Sequence, residues 1–378
     1  MQHTEDIESD VSVLPVPMRM ALDAAARSLN LTAPNPRVGC VLVSAQGQVI
    51  GTGHTQMVGG AHAEIVALRD AKERGHSAIG STAYVTLEPC SHHGRTGPCC
   101  DALVNAGVKS VVASIADPNP LVAGRGFEKL RLAGIDVTVG SGAIQAKELN
   151  IGFFSRMVRK TPWVRMKIAA SMDGRTALNN GVSQWITSDA ARADGHAWRA
   201  RSCAVLTGIG TVIADNPRLD VRQVETLRQP HIVIVDSNLD TPLNAHIFIA
   251  GRACYIYTAV ENDEKKKALE ACGATVIHLP DTNGKVNLSA MLLDLAQREI
   301  NELHVEAGQR LNGSLMREGL VDELLLYMAP KLMGQGQGMV NIGPFTEISD
   351  AIQLEIVSTA RIGADIRIVA RIQGRTPF

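Results

Sequence analysis

The residues with most chemical reach lie early in the chain. His62-Ala63-Glu64 is followed 25 residues later by Pro89-Cys90, and then by Cys99-Cys100. One imidazole, up to three thiolates and one carboxylate make a zinc ligand set with one position left open. Structural zinc sites are closed by four protein ligands, whereas catalytic ones use three and keep the fourth for water. Zinc lowers the pKa of that water towards about 7, so hydroxide becomes available near neutrality. The Glu64 carboxylate, two residues from a ligand, is placed to handle protons and not to bind metal. Hydroxide then adds to an amidine-type ring carbon while Glu64 shuttles a proton to the departing amine. Adjacent cysteines cannot both face one ion. Cys99 is the preferred third ligand, since Cys100 falls more naturally inside the following helix, but spacing alone leaves Cys100 open. Cys40, Cys203, Cys254 and Cys272 sit in apolar or helical surroundings, where a lone cysteine behaves as a small hydrophobe.

Zinc nucleobase deaminases carry H-x-E followed by P-C-x-x-C. Here the second spacing is longer, P-C-x8-C, because the polar, basic run from Ser91 to Pro98 replaces the two intervening residues. His92, His93 and Arg95 in that run either read a phosphate or ring edge of the substrate or form a solvated loop. Zinc over another divalent ion follows from the softness of thiolate and imidazole.

Several elements must position these groups. From Val38 onward, apolar runs of strand length (Val38 to Val43, Val49 to Gly53, Ala83 to Leu87, Val111 to Ile115, Val137) alternate with helical patterns (His62 to Arg74, from about Cys100, Phe127 to Ala133). This rhythm predicts a mostly parallel sheet covered by helices. A helical stretch from Ala143 to Val158 ends at Arg159-Lys160-Thr161-Pro162, where proline biases the chain out of helix. The domain boundary is placed there, giving residues 1–160 and 161–378. The second half restarts with a strand at Trp163 to Ala170, a helix near Asp189 to Arg201 and further alternating elements. It closes in an antiparallel hairpin, Leu354 to Val357 and Ile366 to Ile372 about Gly363. The fold class is therefore α/β in both halves.

At 378 residues the chain is about 2.5 typical domain lengths. With 45% hydrophobic and 20% charged residues it has material for packed cores. The net charge of −1 gives no overall attraction for nucleic acid or anionic lipid. A zinc-stabilised nucleic-acid binder is disfavoured further by the 3% aromatic content and by too few thiolates for a closed finger. No apolar run approaches the roughly 18 residues of a membrane span. The first Lys or Arg is Arg19, and the segment Met1 to Asp10 is acidic, which predicts a frayed lead-in and no export signal. An odd count of seven cysteines fits a reducing, cytoplasmic setting. Neither nucleic acid nor membrane is an expected partner; oligomeric state stays open, a homo-oligomer included.

Longer stretches carry a specific resemblance. His62-Ala63-Glu64, Thr86-Leu87-Glu88-Pro89-Cys90-Ser91-His92-His93-Gly94-Arg95-Thr96 and Asp117-Pro118-Asn119-Pro120 resemble the bifunctional riboflavin biosynthesis deaminase/reductase family of bacteria. So do Ser171 to Thr176, Ser183 to Ser188, Val305 to Gly308 and Ala329 to Leu332. The run Pro34-Asn35-Pro36-Arg37-Val38-Gly39-Cys40 resembles the family's substrate-side loop; by its residues alone it reads equally as a proline-punctuated turn. The resemblance covers nearly the whole chain past residue 16. It implies a cytidine-deaminase-like first domain and a dihydrofolate-reductase-like second domain. The first would remove an amine hydrolytically from a diaminopyrimidinone carrying a ribosylamino 5'-phosphate. The second would reduce the ribosyl group to ribityl with NADPH. Carried over by residue, the metal ligands are His62, Cys90 and Cys99, with Glu64 as proton carrier.

For the second half the residues alone say less. Gly208-Ile209-Gly210-Thr211-Val212-Ile213 follows a strand but lacks the third glycine of a dinucleotide fingerprint. Gly308-Gln309-Arg310-Leu311-Asn312-Gly313-Ser314 follows the strand at Leu303 to Glu306 and opens a helix, a place that favours phosphate or only a tight connection. The resemblance implies that Ala169, Trp185, Thr211, Asp215, Ser237 and Gly308 to Ser314 line the NADPH site. Ser183, Arg199, Leu219, Arg222 and Glu306 would face the substrate, with Arg199 and Arg222 as a bidentate phosphate clamp. Trp185 by residue type alone reads as core, the commoner fate of a tryptophan, and Lys167 and Asp173 read equally as sugar-facing or solvated. The rival reading is a single-activity zinc deaminase with a non-catalytic second half.

Overall fold

Helix α1 (Val16–Ala26) is the first element among the described residues, with Met18, Ala21, Leu22 and Ala25 buried at helical spacing. The computed structural model describes residues 14–91, 97–120, 122–375 and 378, so the acidic lead-in and the run containing His92, His93 and Arg95 lie outside the described residues. The chain divides into two compact units, Met1–Arg159 and Lys160–Phe378.

In the first unit the buried face of α1 packs with β1 (Gly39–Val43), whose five residues are all buried. A five-stranded sheet follows in the order β2-β1-β3-β4-β5, adding β2 (Val49–His54), β3 (Thr82–Val85), β4 (Ser110–Ala113) and β5 (Asp136–Val139). Helices α2 (Ala63–Glu73), α3 (Cys99–Asn105) and α4 (Arg125–Leu132) connect the strands, and α5 (Ala143–Leu149) and α6 (Ile151–Arg159) end the unit. The expectation of a mostly parallel sheet holds only for β3-β4-β5; β1 is antiparallel to both β2 and β3. The cause is the Ser44 to Gln48 connection, closed by Gly47 at φ +83, which is far shorter than a parallel crossover requires. The helix expected over 143–158 is two. It breaks at Asn150, whose side chain donates to the carbonyls of Arg37 and Ala146 and accepts from the Arg37 N–H.

The second unit begins with β6 (Trp163–Ser171) and β7 (Arg175–Leu178), then α7 (Asp189–Arg201), β8 (Ala204–Gly208) and α8 (Ile209–Asp215). It continues through β9 (His231–Val235), β10 (Cys254–Thr258), α9 (Asp263–Ala271), β11 (Ala274–His278), α10 (Leu288–Gln297) and β12 (Glu302–Val305). Last come α11 (Gln309–Arg317), β13 (Glu323–Ala329), β14 (Gly336–Gly338), β15 (Leu354–Ile362) and β16 (Asp365–Ile372). Nine strands form one sheet in the order β11-β10-β9-β8-β12-β6-β13-β16-β15, parallel from β11 through β13. The closing hairpin of the tail is β15-β16, turning at Gly363 with φ +61. Because β8, β9 and β12 run in parallel, the residues just after each of them meet at one edge of the sheet, the place where open α/β sheets collect ligands.

Candidate functional site

In the first unit, His62 is the extended residue that caps α2, Glu64 lies in that helix's first turn, and Cys99 is the first residue of α3. The start of α2 is pressed onto β2: a methyl at Gly53 would collide with the Ala63 carbonyl. His62 Nδ1 lies 3.5 Å from Cys90 Sγ and 3.3 Å from Cys99 Sγ. A tetrahedral zinc with bonds of about 2.3 Å to sulfur and 2.05 Å to nitrogen places such atoms about 3.5 Å apart, so the donor set fits that ion. Among the described residues these three are the only clustered His, Cys, Asp or Glu side chains of that kind. Cys100 turns away, its Sγ against the carbonyls of Pro89 and Gly126 at 3.2 and 3.5 Å.

Charge is arranged around this cluster. The Cys99 thiol donates to Cys90, and with His62 beside it this pulls the Cys90 thiol well below its ordinary value. Burial, and then the charge of Cys90, push the Glu64 carboxyl up to about 7. Glu64 is 3% exposed, so this carboxyl is shielded from bulk water beside the ligands. Glu88, two residues before Cys90, was part of a motif in the sequence and nothing more. In the fold its Oε2 accepts from the N–H groups of Asp117 and Gly124, at 3.2 and 2.9 Å. Its Oε1 accepts from Gly126 and Phe127, at 2.8 and 3.3 Å.

The second unit holds a cavity of about 600 Å³. It brings together Ala169, Trp185, Thr211 and Asp215 of the expected cofactor set with Ser183, Arg199, Leu219, Arg222 and Glu306 of the expected substrate set. Ser237 and residues 308–314 are not among its lining residues; they follow β9 and β12 at the same sheet edge. Gly308 has open space where a Cβ would stand, which suits close approach of a phosphate to the backbone. Within that run Asn312 is buried and donates to the Met339 carbonyl, and Gly313 is pressed on Asn341, so those two positions are held inward. Trp185 is 62% exposed with the Arg192 guanidinium 4.5 Å above its ring, which removes the core reading.

Glu306 is the hub of the cavity. Arg199 donates to it from Nε and, at 2.8 Å, from Nη2; His304 Nε2 lies 3.3 Å from it and Lys167 Nζ 3.9 Å. Burial alone would raise its pKa, but Arg199, Lys167 and His304 hold it well below the ordinary value. Arg199 also donates to the Asp220 carbonyl at 3.0 Å, so this guanidinium is largely engaged within the protein. Arg222 is half exposed and bonded to Asp220 from a single nitrogen, which leaves most of its fork for a ligand. Burial, opposed by the Glu306 charge, lowers the Lys167 pKa. Asp173 accepts from Ser171 and from the N–H groups of Met333 and Gly334, and so ties a turn together.

Residues 162–368 match the family model described as the RibD C-terminal domain, and residues 15–115 that of the cytidine and deoxycytidylate deaminase zinc-binding region. The chain is 43% identical to the riboflavin biosynthesis protein RibD of Escherichia coli strain K12 over 363 residues, covering 92% of this chain and 96% of that protein. The chain belongs to the RibD family. The RibD of Aquifex aeolicus is 40% identical, with 93% and 96% covered. Acinetobacter baumannii RibD superposes with a TM-score of 0.87 at 40% identity, covering 97% of this chain and 99% of that one. A diaminohydroxyphosphoribosylaminopyrimidine deaminase/5-amino-6-(5-phosphoribosylamino)uracil reductase of Thermotoga maritima superposes at 0.84 with 30% identity, covering 97% and 99%. This RibD-family chain is a bifunctional deaminase and reductase of riboflavin biosynthesis, hydrolase and oxidoreductase in one, with zinc and NADPH as cofactors. The match over 162–368 disfavours the rival of a non-catalytic second half. Among the described residues no helix is long and apolar enough to cross a membrane.

Proposed function

We propose that residues 1–160 deaminate a diaminopyrimidinone carrying a ribosylamino 5'-phosphate, and that residues 161–378 reduce the ribosyl group of the product to ribityl. The observation that carries the first half is the convergence of His62, Cys90 and Cys99 on one point, with Glu64 buried beside them. His62, Cys90 and Cys99 hold the zinc, which when bound supplies an acidified water as the nucleophile. Glu64 takes a proton on its carboxylate and returns it to the amine that departs. The walls around Glu64 keep bulk water from competing for that proton.

In the second half NADPH supplies the hydride, and the protein's part is to hold donor and acceptor in line. Ala169, Trp185, Thr211, Asp215, Ser237 and the run Gly308 to Ser314 receive the cofactor. Ser183, Arg199, Leu219, Arg222 and Glu306 receive the sugar phosphate. In this reading the two arginines divide the work, Arg222 offering its fork to the phosphate while Arg199 fixes Glu306, which is supported by the bonds of Arg199 to Glu306 and the single bonded nitrogen of Arg222. A cytoplasmic setting is supported by seven cysteines that are all free.

Purified protein carrying Glu64→Gln tests the assignment. The variant should keep its zinc, at about one ion per chain, lose ammonia release from the diaminopyrimidinone, and still oxidise NADPH when given the deaminated substrate. Retained deamination would remove Glu64 from its role, and loss of zinc would make it a structural residue.

A further inference from the structure

Helix α7 turns one face to the cavity of the second unit. Arg192, His196 and Arg199 recur there at helical spacing, and Gly195 between them has open space where a Cβ would stand. Two of the three have partners: Arg192 lies over the Trp185 ring, and Arg199 grips Glu306. His196 is different. Its residue is 5% exposed, it lines the cavity, and its Nδ1 is buried with no hydrogen-bond partner among the described residues.

Native proteins pair their buried polar groups, so an orphaned imidazole on a cavity wall calls for a reason. A buried acceptor without a partner is tolerated more readily than a buried N–H. With the ring proton on Nε2, that nitrogen is the one able to donate to a ligand. The charged groups around the ring are Arg199 on its own helix, Arg222 and Asp220 on the segment after α8, and Glu306 at the end of β12; Lys167 of β6 lines the same cavity. Burial, then Arg199 and Arg222, push the His196 pKa down to about 4, so near neutrality the ring is an uncharged donor. Arg199 is largely engaged with Glu306, which leaves Arg222 beside the ring, and the more exposed Arg218 of the same cavity, each bonded to Asp220 from one nitrogen, as the guanidinium groups available to an anion.

We infer that His196 is a specificity-determining residue of the reductase site, donating from Nε2 to the phosphate of the sugar-phosphate substrate that Arg222 holds. A phosphomonoester is the ligand class that suits one neutral N–H donor beside guanidinium forks with free N–H groups. The inference rests on reading this cavity as the reductase substrate site.

The test compares wild type, His196→Ala and His196→Gln on the deaminated substrate and on its dephosphorylated form, following NADPH oxidation. His196→Ala should raise KM for the phosphorylated substrate by about tenfold or more, with kcat within about threefold, since a hydrogen bond to a charged group is at stake. The dephosphorylated substrate should keep its kcat/KM within about threefold. Glutamine, which restores an N–H donor, should recover part of the KM. Equal losses on both substrates, or an unchanged KM, would overturn the assignment. NADPH binding, read by tryptophan fluorescence, checks that each variant folds; where alanine fails that check, the glutamine comparison decides. Calorimetric titration with ribose 5-phosphate separates the two layers. A wild type that binds it and an alanine variant that does not, in a protein that oxidises no NADPH, keeps His196 and sinks the reductase reading of the cavity.

Discussion

Four backbone amides, drawn from residues 117 to 127, end on the single carboxylate of Glu88, which is 4% exposed. The start of α4, where that stretch leaves its loop, presses on the residue before Cys90, since a methyl at Gly126 would collide with the Pro89 carbonyl. Glu88→Ala would strand the buried N–H groups of Gly126 and Phe127, each costing about 1–3 kcal/mol when nothing replaces the acceptor, and would also free the part-buried ones of Asp117 and Gly124. The expected result is a loss of about 3 kcal/mol or more in urea unfolding of the first unit. Zinc affinity should fall about 10- to 100-fold, as when an outer support of a metal ligand is removed. A competition titration that finds full zinc affinity in the variant would show that the loop does not support Cys90. The metal ligands themselves were legible in the sequence because thiolate, imidazole and carboxylate at short spacing have few other uses. Glu88 was not, because the amides it accepts from lie about 30 to 40 residues further along the chain, and His196 was not, because no local pattern marks a histidine as the wall of a cavity.

Strands β6, β12 and β13 lie side by side and carry a buried charge ladder. Arg165 of β6 donates to Glu302 of β12 at 2.9 Å and to Glu323 of β13, with the Trp198 ring 4.5 Å from its guanidinium carbon. Arg201 and Arg371 brace the same carboxylates, at 3.0 and 3.5 Å. Removing one member of a buried pair leaves an uncompensated charge, which costs about 3–5 kcal/mol. Arg165→Met should therefore destabilise the second unit by about that amount in denaturant unfolding, while adding Glu302→Gln and Glu323→Gln to that variant should recover most of the loss. A single variant as stable as wild type would mean that Arg201 and Arg371 suffice. Strand identities here were readable, since Trp163 to Ala170 and Glu323 to Met328 are apolar runs of the right length. Pairing direction and breaks were harder: the Ser44 to Gln48 turn sets the antiparallel start of the first sheet, and Asn150 divides a helix because its amide serves Arg37. The small pairing of β7 with β14, and helix α8, have too few periodic residues to stand out.

Across the whole molecule the two chemistries draw on separate stretches of chain. His62, Cys90, Cys99 and Glu64 all fall between positions 62 and 99, within the first unit, and every residue lining the cavity proposed for the reductase falls between 167 and 327, within the second. Each unit also has its own buried cluster, Met18, Val41 and Ala146 in one, Val205, Ile234 and Ile256 in the other. A ligand stabilises the fold it binds by about 2.7 kcal/mol at 100 times its Kd, and a domain of this size shifts by about 2–4 °C per kcal/mol. Scanning calorimetry should therefore show two responses that do not mix. A chelator should lower the transition of the first unit and leave the other in place, and NADPH should raise the transition of the second unit alone. Fragments 1–160 and 161–378, melted separately, identify which transition is which. One cooperative transition that moves with both chelator and NADPH would show that the units fold as a single block, and the assignment of one cofactor to each would then need the Glu64→Gln result to stand.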